Sequence, residues 1–301
     1  MKTLFSKKYG AHLARFTHHA QSVLYASTKP GDDTIRYLST HDNQYIRYFR
    51  AHSAPVTTIA VSPASDTFLS CAQDDTVRLW SLNSPNPQGK LNLATPYLAA
   101  FDPSATVVAV ASTATSSVLL YDLRNYDKAP FATFDLRPHE LTFTPAAVAR
   151  DWTRLEFSND GKSILLGSNG PGHFLLDAFS GDLKAFCACR PGSSSGRVAP
   201  GPASAAARGA GVPGQGDMCF SADGRYVVGG SGQEKDLLVW DTQAATTAAG
   251  GGAGGGEVLH PCAQLPHPRR SPVVLCNPRY NMLASADREV LFWLPDEHVR
   301  G

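Results

Sequence analysis

A hairpin pattern that returns after 42 residues, an apolar landmark that occurs six times, and a turn before each hairpin predict an all-β fold of the propeller class. The clearest hairpin is 66–81, D-T-F-L-S-C-A-Q-D-D-T-V-R-L-W-S. Its arms, 67–71 and 76–80, are rich in β-branched and aromatic residues, as a pleated, half-buried surface favours. Between them, 73–75 supplies short polar side chains that bond the local backbone in a turn. The string D-D-T-I-R-Y-L at 32–38 returns as D-D-T-V-R-L-W at 74–80. That period is the size of one blade.

Six blade units follow in order. The first opens on a degenerate turn, Thr17-His18-His19-Ala20, and carries Leu38 at the landmark. The second opens on Ser62-Pro63-Ala64-Ser65 and carries Trp80. The third joins Asp102-Pro103-Ser104-Ala105 to Tyr121, and the fourth joins Ser158-Asn159-Asp160-Gly161 to Leu176. The fifth joins Ser221-Ala222-Asp223-Gly224 to Trp240, and the sixth joins Asn277-Pro278-Arg279-Tyr280 to Trp293. Successive landmarks are 42, 41, 55, 64 and 53 residues apart. Inserts near 136–150, 190–216 and 242–257 account for the excess, the last two dominated by small residues and proline. Their few apolar side chains do not offset an ordering entropy of about 1–2 kcal/mol per residue, so flexible rim loops are expected. Each unit buries its faces only against neighbours, so 1–301 is expected to form a single domain.

Several runs go beyond generic repeat chemistry: Ser6-Lys7-Lys8-Tyr9-Gly10, 32–49, Ser84-Pro85-Asn86-Pro87-Gln88-Gly89, 121–134, 155–162 and Phe292-Trp293-Leu294-Pro295. On these runs the chain resembles the WD-repeat family, and within it the WD40-type β-propeller subunit of the Set1/COMPASS histone H3 lysine methyltransferase complex. The resemblance covers most of 2–188 and 217–295. That family has seven blades, whereas here the first blade is mostly missing. Residues 3–6 resemble its outer strand, and the last unit, 271–295, lacks an outer strand of its own. Three alternatives stand: residues 4–5 close a six-bladed ring against 291–293, the ring is open with an exposed edge, or the chain is shortened.

The resemblance implies a non-catalytic scaffold in the nucleus, on chromatin, docking a Set1-type methyltransferase and the other subunits of its complex. It also implies links to RNA polymerase II and, because the related fungal subunit is shared with the cleavage and polyadenylation factor, to mRNA 3′-end processing. A WD-repeat adaptor of another complex, such as a ubiquitin-ligase substrate receptor, ranks lower because no recruitment domain accompanies the repeats.

Composition narrows the classes. A net charge of +1 argues against direct nucleic-acid binding as the main activity. No run approaches the ~20 apolar residues of a membrane span, and the start M-K-T-L-F-S-K-K lacks the apolar core of a signal peptide, so a cytosolic or nuclear protein is expected. The six cysteines, Cys71, Cys187, Cys189, Cys219, Cys262 and Cys276, are expected to be reduced.

Motifs that spell chemistry lack its context. Cys187-Ala188-Cys189 is a lone C-x-C without the second pair of a zinc site, and one of its thiols is expected to face inward. Gly192-Ser193-Ser194-Ser195-Gly196 and Gly209-Ala210-Gly211-Val212-Pro213-Gly214 lack the strand and helix that a nucleophile elbow or phosphate cradle needs. No metal or cofactor is expected. The inner-strand segments 56–60, 98–101 and 273–275 carry almost no titratable residues, which favours a scaffold over an enzyme.

Two constellations remain. His52, Ser70, Asp74 and Trp80 contain the residue types of a Ser–His–Asp triad, but the resemblance implies a structural tetrad within one blade. Aromatic and charged residues interleave at Arg36, Tyr37, His41, Asp42, Arg47 and Tyr48, and again at Arg124, Tyr126 and Lys128. Period-2 alternation with one solvated face accounts for such patterns. Tyrosine and arginine also dominate interface energetics, so these nine are the candidate partner-binding residues.

Overall fold

The computed structural model describes residues 6–143, 152–168, 170–189, 217–230, 236–243, 256–267, 273–286 and 289–295. The chain divides into two compact units, Met1–Leu136 and Arg137–Gly301. The first holds three four-stranded antiparallel sheets, each in sequence order. They are β1 (His12–Phe16), β2 (Ser22–Ala26), β3 (Ile35–Ser39) and β4 (Gln44–Phe49); β5 (Val56–Val61), β6 (Thr67–Ala72), β7 (Thr76–Ser81) and β8 (Pro87–Asn92); and β9 (Pro96–Phe101), β10 (Val107–Ser112), β11 (Ser117–Asp122) and β12 (Ala132–Asp135).

The second unit begins with α1 (Arg137–Phe143), followed by a sheet of β13 (Trp152–Phe157), β14 (Ser163–Ser168), β15 (Gly172–Asp177) and β16 (Leu183–Ala188). The next sheet contains β17 (Met218–Phe220), β18 (Tyr226–Gly230) and β19 (Leu237–Asp241). β20 (Glu257–Leu259) then returns to pair in parallel with β16, and β21 (Ala263–Leu265) completes the β17–β19 sheet. The last sheet is β22 (Val273–Cys276), β23 (Leu283–Ala286) and β24 (Val290–Trp293), with no fourth strand among the described residues.

Both sequence landmarks fall at equivalent places. Leu38, Trp80, Tyr121, Leu176, Trp240 and Trp293 all lie on the third strand of their sheets, opposite Val23, Phe68, Val108, Ile164, Val227 and Leu283. Each first-to-second-strand turn is closed by one backbone bond spanning five residues, from Thr17 to Ser22, Ser62 to Thr67, Asp102 to Val107, Ser158 to Ser163, Ser221 to Tyr226 and Asn277 to Met282. Side chains explain the residue choice. Asp102 Oδ1 accepts from Val107 N at 2.8 Å, Ser158 Oγ from Ser163 N at 3.0 Å and Ser221 Oγ from Tyr226 N at 2.9 Å. In three of the turns the fourth residue is left-handed, Ala105 (φ 58°), Gly161 (φ 71°) and Gly224 (φ 72°), a conformation that glycine accepts freely.

Period-2 alternation lets each central sheet feed two seams. Phe68 and Trp80 pack with Leu24, Ile35 and Phe49 of the first sheet, while Leu69, Cys71, Val77 and Leu79 pack with Val108, Val110 and Tyr121 of the third. In the second unit Leu165, Leu175 and Ala185 meet Met218, Phe220 and Trp240, and Cys219, Val228 and Leu237 meet Val274 and Leu283.

Three expectations need correction. The insert near 136–150 starts as a helix rather than a flexible loop. Buried Glu140 accepts from Trp152 Nε1 at 3.2 Å, and Phe143 stacks on Phe186 at 4.4 Å. The insert near 242–257 ends in strand, because Leu259 supplies an apolar anchor in the seam around Trp240. Cys187 and Cys189 are both buried, since residues two apart on a strand share a face. Residues 144–151, 190–216 and 244–255, and with them the G-x-S-x-G and G-x-G-x-x-G strings, lie outside the described residues, as do residues 1–5, on which the ring-closing alternative turns.

Candidate functional site

The polar constellation at 52–80 is assembled within the β5–β8 sheet. His52 precedes β5, Ser70 sits mid-β6, Asp74 lies in the β6–β7 turn and Trp80 is on β7. The register that puts Phe68 opposite Trp80 puts Ser70 opposite Arg78, and the tight turn at Asp75 (φ 58°) lifts Asp74 toward the loop before β5. His52 Nδ1 lies 3.0 Å from Asp74 Oδ2, and His52 Nε2 lies 2.7 Å from Ser70 Oγ. Trp80 Nε1 donates to Ser70 Oγ at 2.8 Å. Asp74 also accepts from Thr76 Oγ1 at 2.6 Å and from Ser53 N at 3.1 Å.

With Nδ1–H assigned toward the carboxylate, Ser70 donates its only proton to His52 Nε2 and accepts from Trp80. Ser70 is fully buried, which closes its oxygen to any substrate. Burial lowers the His52 pKa and outweighs the Asp74 carboxylate, which raises it, so the ring is neutral. Hydrogen bonds from Thr76, Ser53 and His52 hold the Asp74 carboxyl below its ordinary value against the desolvation that raises it. A satisfied buried network fixes one register of a sheet. His52→Ala is therefore expected to lower stability by about 1–3 kcal/mol through orphaned partners. A denaturant midpoint equal to the parent's would reject that role.

Spacing repeats the arrangement in the second unit, where the sequence reading missed it. His267 Nε2 lies 3.1 Å from Ser285 Oγ, and Trp293 Nε1 donates to the same oxygen at 2.8 Å. The separation of 18 residues between histidine and serine is the same in both, a signal that could have found it.

Of the aromatic and charged candidates, Arg36 and Tyr37 lie in the interior. Arg36 is 3% exposed, bridges Asp32 at 2.7 Å and stacks 3.7 Å over the Tyr9 ring. Tyr37 belongs to the seam with Trp80, its hydroxyl 3.2 Å from Ser22 Oγ. The fold takes up both side chains, because these consecutive residues point to opposite faces of β3 and both faces are covered there. His41 and Asp42 are exposed at the β3–β4 tip, and Arg47 and Tyr48 are half-buried on the outer strand β4. Around them the structure adds Tyr9, Tyr45 and Arg50. Tyr45 sits 5.3 Å from Tyr48 and 6.0 Å from Tyr9, and Arg50 lies 5.0 Å over Tyr48. Tyr9 belongs to a run quoted for resemblance, and nothing local marked it as a stacking partner.

Arg124 and Lys128 are exposed beside the short 3₁₀ turn Leu123–Asn125, which Asp122 caps at 2.9 Å. Tyr126 is half-buried and donates to Gln88 O at 2.8 Å. Its ring covers Gly89, where an added Cβ would stand 2.2 Å from it, so two of the runs noted above lock together.

Inner strands of the second unit are not free of titratable groups, as had been expected from 56–60, 98–101 and 273–275. Arg154 on β13 pairs with Glu156 at 3.0 Å and lies 3.8 Å from Asp217, whose other oxygen accepts from Val274 N at 3.1 Å. The arginine ties both carboxylates, so the three form a cross-strand ion network. Among the described residues no group of three or more metal-ligating side chains converges.

Residues 43–81 match the family model described as WD domain, G-beta repeat. The chain is 38% identical over 295 residues to WD repeat-containing protein 82 of Drosophila melanogaster, covering 98% of this chain and 80% of that protein. It is 32% identical over 307 residues to COMPASS component SWD2 of Saccharomyces cerevisiae, covering 99% and 82%. Over 181 residues it is 47% identical to Set1 complex component swd2 of Schizosaccharomyces pombe, covering 60% and 48%.

Proposed function

Because the chain belongs to the WD-repeat family of WD repeat-containing protein 82 and the swd2 components, we propose that it is a scaffold subunit of a Set1/COMPASS-like histone H3 lysine methyltransferase complex. The observation that carries this reading is identity spread over nearly the whole chain rather than over one repeat. A non-catalytic role is supported by the buried Ser70, whose oxygen is spent on His52 and Trp80. Rigid sheets that present loops and outer strands at fixed geometry suit a docking platform.

The proposal includes a nuclear location and docking through Arg47 and Tyr48 on β4 with the His41–Asp42 tip, and through Arg124, Tyr126 and Lys128. Links to RNA polymerase II and to cleavage and polyadenylation subunits rest on the family resemblance alone. The test is affinity purification of the tagged chain from nuclear extract with mass spectrometry. Methyltransferase-complex subunits are the expected catch, and Arg47→Ala with Tyr48→Ala should reduce their recovery about tenfold, equivalent to about 1.4 kcal/mol. Recovery of a cullin ligase in their place would transfer the chain to another pathway. Unchanged recovery by the double variant would remove the β4 surface from the proposal.

A further inference from the structure

The outer edge of β16 carries a strand that its own sheet does not supply. β13 to β16 run in sequence order, and β20 is then added beside β16 from the connection between β19 and β21. β16 pairs antiparallel with β15 but parallel with β20, which sets Glu257, Val258 and Leu259 opposite Ala185, Phe186 and Cys187. Parallel pairing is slightly weaker per residue. Leu259 alone of the three is buried, at 5% exposure, and joins Cys187, Met218 and Trp240; Glu257 and Val258 stay exposed. Gly256 enters so close to β16 that an added Cβ would stand 2.5 Å from Leu183 Cγ and 3.0 Å from the Leu183 carbonyl oxygen. A small residue, a short ladder and one apolar anchor therefore hold β20 in place.

We propose that the β16 edge is a strand-docking site that β20 fills internally, and that an extended segment of a partner protein, glycine at its first position and leucine at its fourth, takes the same place. A sheet edge offers unpaired N–H and C=O groups to any extended chain. Strand addition draws affinity from the ladder and specificity from side-chain pockets. The resident strand shows what this edge accepts: a residue without a side chain against Leu183, then an apolar anchor two positions beyond the start of the ladder. β20 is joined to β21 by three residues, His260–Cys262, and Cys262 N donates to Val239 O at 2.8 Å. Three residues reach about 10 Å, enough for β20 to leave the edge while β21 keeps its place, but not to seat it on a second copy. The occupant that replaces β20 is therefore a segment of another protein. This surface is separate from β4 and from the Arg124–Lys128 turn, and its test does not depend on the Set1/COMPASS reading.

The probe is a fluorescent peptide of residues 256–261, Gly-Glu-Val-Leu-His-Pro, and polarisation reads its binding to the full-length chain. Leu259→Ala weakens the resident anchor, and Val258→Pro breaks the ladder from an exposed position. Each variant is expected to bind the peptide about tenfold more tightly than the parent, because the tethered strand competes less well. Peptides carrying Gly256→Ala or Leu259→Asp should bind about tenfold more weakly than the unaltered one. Amide exchange across 183–188 should be faster in both variants and slow again when the peptide is added. Near-ultraviolet dichroism reports that each variant is folded. A folded variant with faster exchange at 183–188 but the parent's peptide affinity overturns the proposal. So do unchanged exchange in both variants, equal binding of the altered peptides, and a dimer by light scattering, which would give the edge to a second copy. If neither variant folds, β20 is an integral strand of the sheet and the proposal falls.

Discussion

Replacing Trp80 with alanine is expected to destabilise the Met1–Leu136 unit by about 3–5 kcal/mol, the range for truncating a large aromatic in a packed core. The indole is fully buried, stacks on Phe68 at 5.9 Å and meets Phe49 edge-on at 5.3 Å. Its removal therefore opens a cavity at the seam of two sheets rather than at a surface that could collapse. It also takes the donor from Ser70, so the polar network and the apolar seam fail together. Trp80→Phe separates the two contributions by keeping most of the ring and losing the Nε1–H. It should cost about 1–3 kcal/mol, the penalty of an unmade buried hydrogen bond. Denaturant unfolding followed by near-ultraviolet dichroism reads both. An alanine variant with the parent's midpoint would contradict the placement of Trp80 as the shared pillar of seam and network.

The repeat was legible because its determinants are local. A threonine, serine, aspartate or asparagine at the head of each first turn accepts a backbone N–H of that turn with its own side chain, and the landmark alternates with its neighbours along one strand. The apolar landmark and the turn before each hairpin, read together, were enough to place Trp240 and Trp293 on third strands despite 64- and 53-residue intervals. What could not be read depends on residues far apart in sequence. Burial of Arg36 needs Tyr9 and Asp32 together, and Arg154 meets Asp217 across 63 positions. β20 was hidden because its pairing with β16 is decided by Leu259 reaching the Trp240 seam, not by a pattern in Glu257–Leu259 itself. The C-x-C error was avoidable, since the period-2 rule already placed both thiols on one face.

Acid should weaken the Arg137–Gly301 unit by about 3 kcal/mol between pH 6.5 and 4 through His173 alone. The ring is fully buried on β15 and edge-on to Trp240 at 5.6 Å. Its Nδ1 accepts from Ser168 N at 3.1 Å, leaving the proton on Nε2, 3.6 Å from Cys189 Sγ. Desolvation pushes its pKa from 6.5 down to about 4. Within that window the unfolded chain carries a proton that the folded chain does not, so each step down in pH favours unfolding. Above 6.5 the stability is fully present. Glu156 acts in the opposite sense, because burial raises its carboxyl pKa and its contribution is lost as pH rises. The parent's pH profile therefore mixes the two, and the difference between parent and His173→Gln isolates the histidine. Glutamine cannot take up the proton, so the variant's stability should be flatter from pH 6.5 to 4, and its deficit at neutral pH should shrink or reverse in acid. Parallel profiles for parent and variant across that window would mean that His173 titrates as it does in water, and that the β15 interior is not the dry site its contacts describe.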